Sequence, residues 1–186
     1  NFQKKYPNRF LNVGVAEQTM IGMCAGLSME GMRPFAYTIS TFALYRPFEM
    51  VRNDICYQNL PVTIVGMGAG TIYSTLGGTH LTQEDISIAR SIPNMSIIAL
   101  CDPNELKDVI KFCCTKSKSP IYLRIGKSGE KNFTKNCKDK WKFGKIRKIY
   151  PGSDICFLTF GPIVKKAFDL KDNLKAQNIS SEIYSC

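Results

Sequence analysis

The stretch LPVTIVGMGAG, residues 60–70, contains a β-branched run that ends at closely spaced glycines. A strand that is apolar at consecutive positions, here residues 62–66, is typical of a parallel sheet covered on both faces. Similar short apolar runs lie at residues 34–39, 96–101 and 120–125, and segments with helical features separate them. This alternation predicts an α/β fold, a parallel sheet with helices on both faces.

Start and stop signals place the helices between these strands. Residues 11–14 are predicted to form a strand that leads into a helix starting near Val15, and Gly31 is the residue type that favours a helix C-terminus. Pro47 is expected to begin the next helix, because proline lacks the N–H that a first turn leaves unpaired. The predicted helices cover residues 15–31, 47–57, 82–91, 102–116 and 163–177.

A second unit starts after residue 129. Residues 130–150 are rich in lysine, and predicted strands at residues 155–160 and 182–185 then enclose a predicted helix. We therefore expect a first domain over residues 1–129, a basic connector, and the start of a second α/β domain over residues 151–186. Because this restart is too small to bury its own sheet, we expect the chain to be part of a longer polypeptide.

The net charge of +10 is concentrated in the second half of the chain. Residues 1–103 carry as many basic as acidic side chains, and the densest basic stretch covers residues 127–148. A nucleic-acid-binding surface would place stacking rings among such lysines, and only Trp141 and Phe143 are available here. We therefore interpret the stretch as a solvated connector and expect no nucleic-acid partner.

The eight cysteines do not form a CxxC pair, and the chain has one histidine. This combination argues against a zinc site and a disulfide framework. Several cysteines lie in apolar runs, such as residues 97–101 and 155–160, so we interpret them as reduced core thiols of a cytoplasmic protein. No apolar run approaches the roughly 20 residues of a membrane helix, and we expect no membrane association.

The segment VGVAEQ, residues 13–18, places Glu17 in the first turn of the first long helix. Ile21, Cys24 and Ser28 follow it at helical spacing, so the carboxylate is expected to lie on an apolar helix face. A charge there requires compensation, and the helix N-terminus supplies partial positive charge. The spacing equally allows Glu17 to extend into solvent.

Aromatic residues and the only histidine follow the first two strands. Phe42, Tyr45 and Phe48 lie between a strand end and a helix start, where ligands bind in open α/β sheets. Their rings suit stacking on a planar heterocycle, or they fill the core below the loop. His80 follows a loop rich in glycine, serine and threonine, residues 66–79, and either transfers protons or only begins a helix.

The order and spacing of these segments resemble the transketolase family. The resemblance covers residues 10–129 and includes GVAEQ at 14–18, STF at 40–42, GGTH at 77–80 and PNMSII at 93–98. It is closest to the separately encoded C-terminal parts of transketolases. It implies a thiamine-diphosphate-binding fold whose pyrimidine-binding domain is followed by the start of the transketolase C-terminal domain.

The resemblance implies roles for individual residues. In this family the glutamate of the AEQ motif bonds to the ring nitrogen of the thiamine aminopyrimidine and activates the cofactor, a role that falls on Glu17. Tyr45 and Phe48 align with rings that stack on the pyrimidine, and Phe42 is the alternative because of an apparent insertion nearby. His80 aligns with a histidine that faces the substrate and helps proton transfer.

Four positions depart from the family pattern. Leu81 stands where the family has a glutamine, and Leu76 stands where it has an aspartate that contacts substrate hydroxyls. The upstream loop histidine of the family is replaced near Gly68. Lys127 aligns with a phosphate-contacting arginine and offers a point charge without a bidentate fork. We therefore expect Lys127 to bind substrate, while the identity of the sugar stays open.

The family's diphosphate and magnesium site uses a GDG motif, which does not occur in these 186 residues. We therefore expect thiamine diphosphate to be shared with a diphosphate-binding subunit or N-terminal domain that also binds Mg²⁺. This chain is expected to supply no metal ligand. A homodimer or a heterotetramer would bring the two halves together.

These implications predict a transferase that moves a two-carbon ketol unit between sugars. The decarboxylase subunit of a 2-oxo acid dehydrogenase and a deoxyxylulose-phosphate synthase share the AEQ motif and are alternatives. A non-catalytic scaffold or regulatory module is an interpretation of another class. The presence of both Glu17 and His80 argues against that last interpretation.

Overall fold

The computed structural model describes residues 2–186 and contains two sheets. The larger sheet has four strands in the order β1-β2-β4-β3, and all three pairings are parallel. Its strands are β1 (Phe35–Ile39), β2 (Thr63–Met67), β3 (Ser96–Ala99) and β4 (Ile121–Ile125). Each overlaps one of the predicted apolar runs, so the predicted parallel sheet is confirmed.

Helices connect the strands and precede the sheet. The α-helices are α1 (Phe2–Lys5), α2 (Glu17–Met29), α3 (Ser40–Leu44), α4 (Phe48–Met50), α5 (Asp85–Arg90), α6 (Pro103–Thr115) and α7 (Val164–Lys175). A π-helical segment, Val51–Tyr57, continues α4. The predicted helix after Pro47 is therefore present, although its second half follows the wider π spacing.

Both faces of the larger sheet are buried, as the continuous apolar runs predict. Ile64 and Tyr122 belong to the core cluster that includes residues of α2, α3 and the π-helical segment. Their chain neighbours Val65 and Leu123 belong to a separate cluster with residues of α6. Since successive strand residues point to opposite faces, helices cover the sheet on both sides.

The predicted strand at residues 11–14 is wrong. These residues form no regular secondary structure and pair with no strand in the part of the chain that the structure describes. The Gly14 N–H donates to Asn12 Oδ1 at 2.9 Å, and Gly14 adopts φ +70°. Gly14 thus adopts a left-handed conformation that does not belong to a strand, and α2 begins at Glu17 instead of near Val15.

Helix α3 is not predicted by the sequence pattern, which placed residues 40–44 in a loop. Its first turn is held by hydroxyl contacts with a residue far along the chain. Thr82 Oγ1 lies 2.6 Å from Ser40 Oγ and 2.8 Å from Thr41 Oγ1. Thr82 is fully buried, so these contacts fix the entry to α3 against the segment that leads into α5.

The smaller sheet contains β5 (Arg147–Tyr150), β6 (Ile155–Thr159) and β7 (Ser181–Ser185) in the order β5-β7-β6. The β6–α7–β7 unit is parallel and matches the predicted restart. Strand β5 pairs antiparallel to β7 and lies inside the lysine-rich segment, where the pattern does not predict it. Only Arg147 and Ile149 of this strand are buried, so its alternation spans too few residues to stand out among lysines.

The motif at residues 102–105 joins the two sheets. Asp102 caps α6 by accepting from the Glu105 N–H at 3.0 Å, as the sequence predicts for this helix start. Its other oxygen accepts from the N–H groups of Phe133 and Thr134 at 2.8 and 2.7 Å. Glu105 in turn pairs with Arg147 at 2.7 Å, and both of these side chains are buried. One short motif therefore holds α6, the lysine-rich segment and β5 together.

The aromatic residues of the lysine-rich segment pack on α6. The rings of Phe143 and Phe112 are stacked, with centroids 4.6 Å apart. Trp141 meets Phe112 edge-on at 5.8 Å. The rings that a nucleic-acid interpretation would require for base stacking thus contribute to packing within the protein.

All eight cysteines are free, and four of them are buried: Cys24, Cys56, Cys101 and Cys113. Burial raises the pKa of Cys24 to about 11 and that of Cys56 to about 12, so both thiols are protonated at neutral pH. The core interpretation is wrong for Cys156, which is exposed on β6. Within residues 2–186 no helix has both the length and the apolar character needed to cross a membrane.

Candidate functional site

Glu17 is the first residue of α2, and its carboxylate is buried at 6% exposure. Ile21 and Cys24, at helical spacing after it, are buried on the same face. The sequence prediction of an apolar helix face is therefore confirmed, and the solvent-exposed alternative is wrong. A buried carboxylate of this kind requires partners that offset the loss of hydration.

Arg46 is the main partner of Glu17. Its Nη1 donates to Glu17 Oε2 at 2.6 Å, while Thr38 Oγ1 donates to Oε1 at 3.3 Å. Arg46 is 41% exposed on its side chain and Glu17 is 7% exposed, so the pair lies at the border between the core and solvent. The sequence interpretation did not single out Arg46. Its one local signal is that it is the only basic residue among the aromatics between β1 and the π-helical segment.

Phe42 and His80 extend this pair into a row of four side chains. The guanidinium carbon of Arg46 lies 4.4 Å from the centroid of the Phe42 ring. The Phe42 and His80 rings meet nearly at right angles with centroids 5.3 Å apart. Through Arg46, the structure thus connects Glu17, Phe42 and His80 in one row. In the sequence, Phe42 lies 25 positions after Glu17, and His80 lies 38 positions after Phe42.

His80 is held in a short 3-10 turn, Gly78–His80. Gly77, which precedes the turn, has φ +84°, a conformation that favours glycine. Thr79 Oγ1 lies 3.0 Å from His80 Nδ1. This contact engages Nδ1, and Nε2 makes no hydrogen bond within the described residues 2–186, which leaves it available to a ligand.

Tyr45 and Phe48 do not join this row. The Tyr45 hydroxyl donates to Glu84 Oε2 at 2.9 Å, and burial together with Glu84 raises the pKa of Tyr45. Both rings are partly buried and pack against the core cluster that contains Ile21 and Leu44. Of the three aromatics that the sequence proposed, the alternative, Phe42, is the one that contacts Arg46, the partner of Glu17.

Lys127 lies just beyond the C-terminal end of β4 and is exposed. Because the strands are parallel, this is the same end of the sheet at which β1 leads into α3. Its Nζ is 5.6 Å from the centroid of the Tyr73 ring. That ring lies directly over Gly68, where a Cβ atom would overlap it at 2.0 Å. The departure at Gly68 is thus explained, since only glycine leaves room for Tyr73. Leu76 is 54% exposed on the same loop.

The fully buried carboxylate of Asp85, in the first turn of α5, connects this helix to β4. Asp85 Oδ2 accepts from the Tyr122 hydroxyl at 2.9 Å and from Arg124 Nε at 2.8 Å. Burial is the largest cause of the raised pKa of Tyr122, followed by the charge of Asp85. These contacts tie α5 to β4 and so fix the segment that carries His80 relative to the sheet.

The row of side chains suits a planar, partly cationic heterocycle. Glu17 Oε1 has only the long contact with Thr38 and is free to accept a stronger hydrogen bond. The ring of Phe42, which contacts the Arg46 guanidinium, offers a surface for stacking. Among residues 2–186, no cluster of three or more histidine, cysteine, aspartate or glutamate side chains is arranged to hold a metal ion.

A sequence profile of the transketolase pyrimidine-binding domain matches residues 1–129. Over 183 residues the chain is 38% identical to the putative transketolase C-terminal section of Methanocaldococcus jannaschii, covering 98% of this chain and 58% of that protein. It is 33% identical over 182 residues to a 1-deoxy-D-xylulose-5-phosphate synthase of Clostridium perfringens, covering 98% of this chain and 28% of that enzyme. The chain therefore spans about half, or less, of the length of these relatives.

The fold agrees with a solved structure described as a split gene transketolase in an inactive β4 tetramer. The two chains superpose with a TM-score of 0.88 at 32% sequence identity. The superposition covers 100% of this chain and 58% of the other. The similarity extends beyond residue 129, so it includes the smaller sheet as well as the larger one.

Proposed function

The chain belongs to the transketolase family, whose pyrimidine-binding domain it contains, and we propose that it activates thiamine diphosphate in an enzyme that transfers a two-carbon ketol unit between sugars. The observation that carries this proposal is the position of Glu17. Its carboxylate is buried at the start of α2 and has one lightly engaged oxygen. Through Arg46 it is linked to the ring of Phe42, which in turn contacts His80.

Glu17 and Phe42 fit the aminopyrimidine of the cofactor. Oε1 of Glu17 would accept a hydrogen bond from the ring nitrogen in its protonated form, and burial strengthens such a bond because water does not compete for it. Phe42 would orient the ring by stacking. Bound thiamine diphosphate supplies the nucleophilic carbon and the electron sink for cleaving the donor sugar, while this chain orients the cofactor and manages protons.

His80 is the proposed proton-transfer residue on the substrate side. Its ring contacts Phe42, and its Nδ1 is engaged by Thr79, so Nε2 is the atom that would exchange a proton with a sugar hydroxyl. Lys127, just beyond the C-terminal end of β4, would bind an anionic group of the sugar.

The diphosphate and its Mg²⁺ are proposed to bind to a partner subunit or to another domain. The split-gene transketolase relative is described as an inactive β4 tetramer, and the 186 residues of this chain contain no GDG motif. We propose a heterotetramer or homodimer that builds the active site between the two halves, with residues 1–129 as the pyrimidine-binding domain and residues 151–186 as the start of the C-terminal domain. The eight free cysteines suit a reducing compartment such as the cytoplasm.

The similarity to a 1-deoxy-D-xylulose-5-phosphate synthase favours that reaction as a second candidate. The two reactions differ in the donor, because the synthase releases carbon dioxide from a 2-oxo acid whereas a transketolase transfers the ketol unit of a ketose. The departures at Leu76 and Leu81 leave both donors open. A donor assay therefore has to include both compound classes.

The proposal is tested with the full-length protein and its diphosphate-binding partner, supplied with thiamine diphosphate and Mg²⁺. We expect saturable cofactor binding by calorimetry and ketol transfer from a ketose donor to an aldose acceptor. Carbon dioxide release from pyruvate without ketol transfer would support the second candidate. Absence of cofactor binding in the assembled complex would contradict both.

Replacing Phe42 with leucine is expected to weaken thiamine diphosphate binding by about 5- to 150-fold, since stacking of a heterocycle on an aromatic ring contributes roughly 1–3 kcal/mol. The dissociation constant is measured by calorimetry on the assembled complex. Tyr45→Leu is the matched control, because Tyr45 packs against the core and binds Glu84. A larger loss of affinity in Tyr45→Leu than in Phe42→Leu would show that the sequence alignment, and not the structure, identifies the stacking ring.

A further inference from the structure

The two oxygens of Glu17 have unequal surroundings. Oε2 receives a short, charge-assisted bond of 2.6 Å from Arg46, while Oε1 receives only the hydroxyl of Thr38 at 3.3 Å. A carboxylate held at one oxygen cannot rotate freely about its last bond. The asymmetry therefore determines which oxygen is presented to a ligand.

We propose that Arg46 is a positioning residue for cofactor activation: it holds Oε2 of Glu17 so that Oε1 faces the ring nitrogen of the aminopyrimidine. This inference rests on the proposed function, because it assigns a partner to the carboxylate that acts on the cofactor. Arg46 does not itself contact the reacting atoms in this assignment. It acts through Glu17 and through the ring of Phe42.

Helical geometry places Arg46 where it can contact both Glu17 and the ring of Phe42. Phe42 lies in α3, and Tyr45, which follows the helix, keeps right-handed helical angles of φ −78° and ψ −47°. Arg46 is four residues after Phe42, so the two side chains lie on the same face, one turn apart. The guanidinium then covers the Phe42 ring at 4.4 Å while its Nη1 reaches Glu17.

The guanidinium group suits this position better than an ammonium group. It is planar, so it stacks on an aromatic ring and still directs N–H donors sideways in the plane. Lysine carries the same charge but has no plane to stack. Arg46 therefore couples the orientation of Glu17 to that of Phe42, and Phe42 in turn contacts His80.

The test compares Arg46→Met and Arg46→Lys with wild type in the complex assembled with its diphosphate-binding partner, thiamine diphosphate and Mg²⁺. Arg52→Met is the matched control, since Arg52 is exposed and, among residues 2–186, its side chain bonds only to its neighbour Asn53. Three quantities are measured: the cofactor dissociation constant, the rate of deuterium exchange at the thiazolium C2 of the bound cofactor, and kcat and KM for the donor. The melting temperature of each variant is recorded alongside.

We expect Arg46→Met to slow C2 exchange and lower kcat together by about 10- to 100-fold, the usual cost of removing a group that orients a functional ligand. The KM for the donor should change less, because Arg46 is not assigned a substrate contact. Arg46→Lys should restore part of the exchange rate, since it keeps the charge beside Oε2. Arg52→Met should match wild type in all three quantities.

Unchanged C2 exchange in Arg46→Met would overturn the inference. So would a loss that Arg46→Lys does not reduce and that follows a fall in melting temperature, because this pattern indicates a purely structural role. Failure of the inference is distinguishable from failure of the proposed function. In the first case wild type binds the cofactor and Glu17→Gln still abolishes exchange, whereas in the second the wild-type complex shows neither binding nor exchange.

Discussion

Replacing Glu17 with glutamine is expected to lower kcat of the assembled enzyme by about 10²- to 10⁴-fold, the range that a positioned proton-transfer group supplies. Glutamine keeps the size of the side chain but removes the charge. It also replaces an oxygen that only accepts hydrogen bonds with an amide. Because Glu17 is buried at 6% exposure, water cannot take over the role of the lost carboxylate.

The loss should lie in the chemical step and not in the fold. The ion pair with Arg46 is 41% exposed on the arginine side, and pairs at the border with solvent contribute little to stability. We therefore expect Glu17→Gln to keep a melting temperature close to that of wild type while C2 exchange falls with kcat. Steady-state kinetics of ketol transfer, with thiamine diphosphate saturating, provide the measurement.

Glu30→Gln is the matched control, because Glu30 lies at the other end of α2 and is exposed. It removes the same charge from the same helix without touching the site, and wild-type kinetics are expected. If Glu17→Gln retained the activity of Glu30→Gln, Glu17 would have no role in cofactor activation. The central claim of the proposed function would then be wrong.

Replacing Asp102 with alanine is expected to lower the free energy of unfolding by roughly 3–5 kcal/mol, since it leaves several buried donors without an acceptor. Asp102 is 1% exposed. It accepts from the N–H groups of Glu105, Phe133 and Thr134 and from the Thr134 hydroxyl. The substitution therefore removes the cap of α6 and the attachment of the lysine-rich segment in one step.

The measurement is urea denaturation of the full-length protein. Asp108→Ala serves as control, because Asp108 is on the exposed side of the same helix, and it should stay within about 0.5 kcal/mol of wild type. Increased proteolysis within residues 127–146 of Asp102→Ala would show that the lysine-rich segment has detached. Equal stability of the two variants would mean that the contacts of Asp102 contribute no net stabilisation.

The fold could be predicted because its signals are local and repeated. Continuous apolar runs such as residues 62–66 indicate strands buried on both faces, and β2 has this environment. The spacing of Ile21 and Cys24 after Glu17 predicted an apolar helix face but left both burial and exposure of the carboxylate open, and the structure shows that it is buried. By contrast, β5 contains two buried residues in alternation, and so short a period cannot be separated from the surrounding lysines.

The three candidate stacking rings differ in their tertiary contacts, which the sequence does not show. Phe42, Tyr45 and Phe48 are similar in type and close in sequence, so a shift of one position changes the assignment. Helix α3 and its turn direct Phe42 toward Arg46, while Tyr45 is directed toward Glu84. The contact of Thr41 with Thr82 that holds this turn spans 41 positions, beyond the reach of any local pattern.

The sequence by itself determined the alternation of strands and helices, the family, and the carboxylate at the start of α2, because each depends on residue types at short, regular spacing. The tertiary structure decided what surrounds that carboxylate. Arg46 reaches Glu17 across 29 positions because α2 and the turn after β1 pack at one edge of the sheet. Such a contact depends on how separate elements pack in space, and local residue patterns carry no record of it.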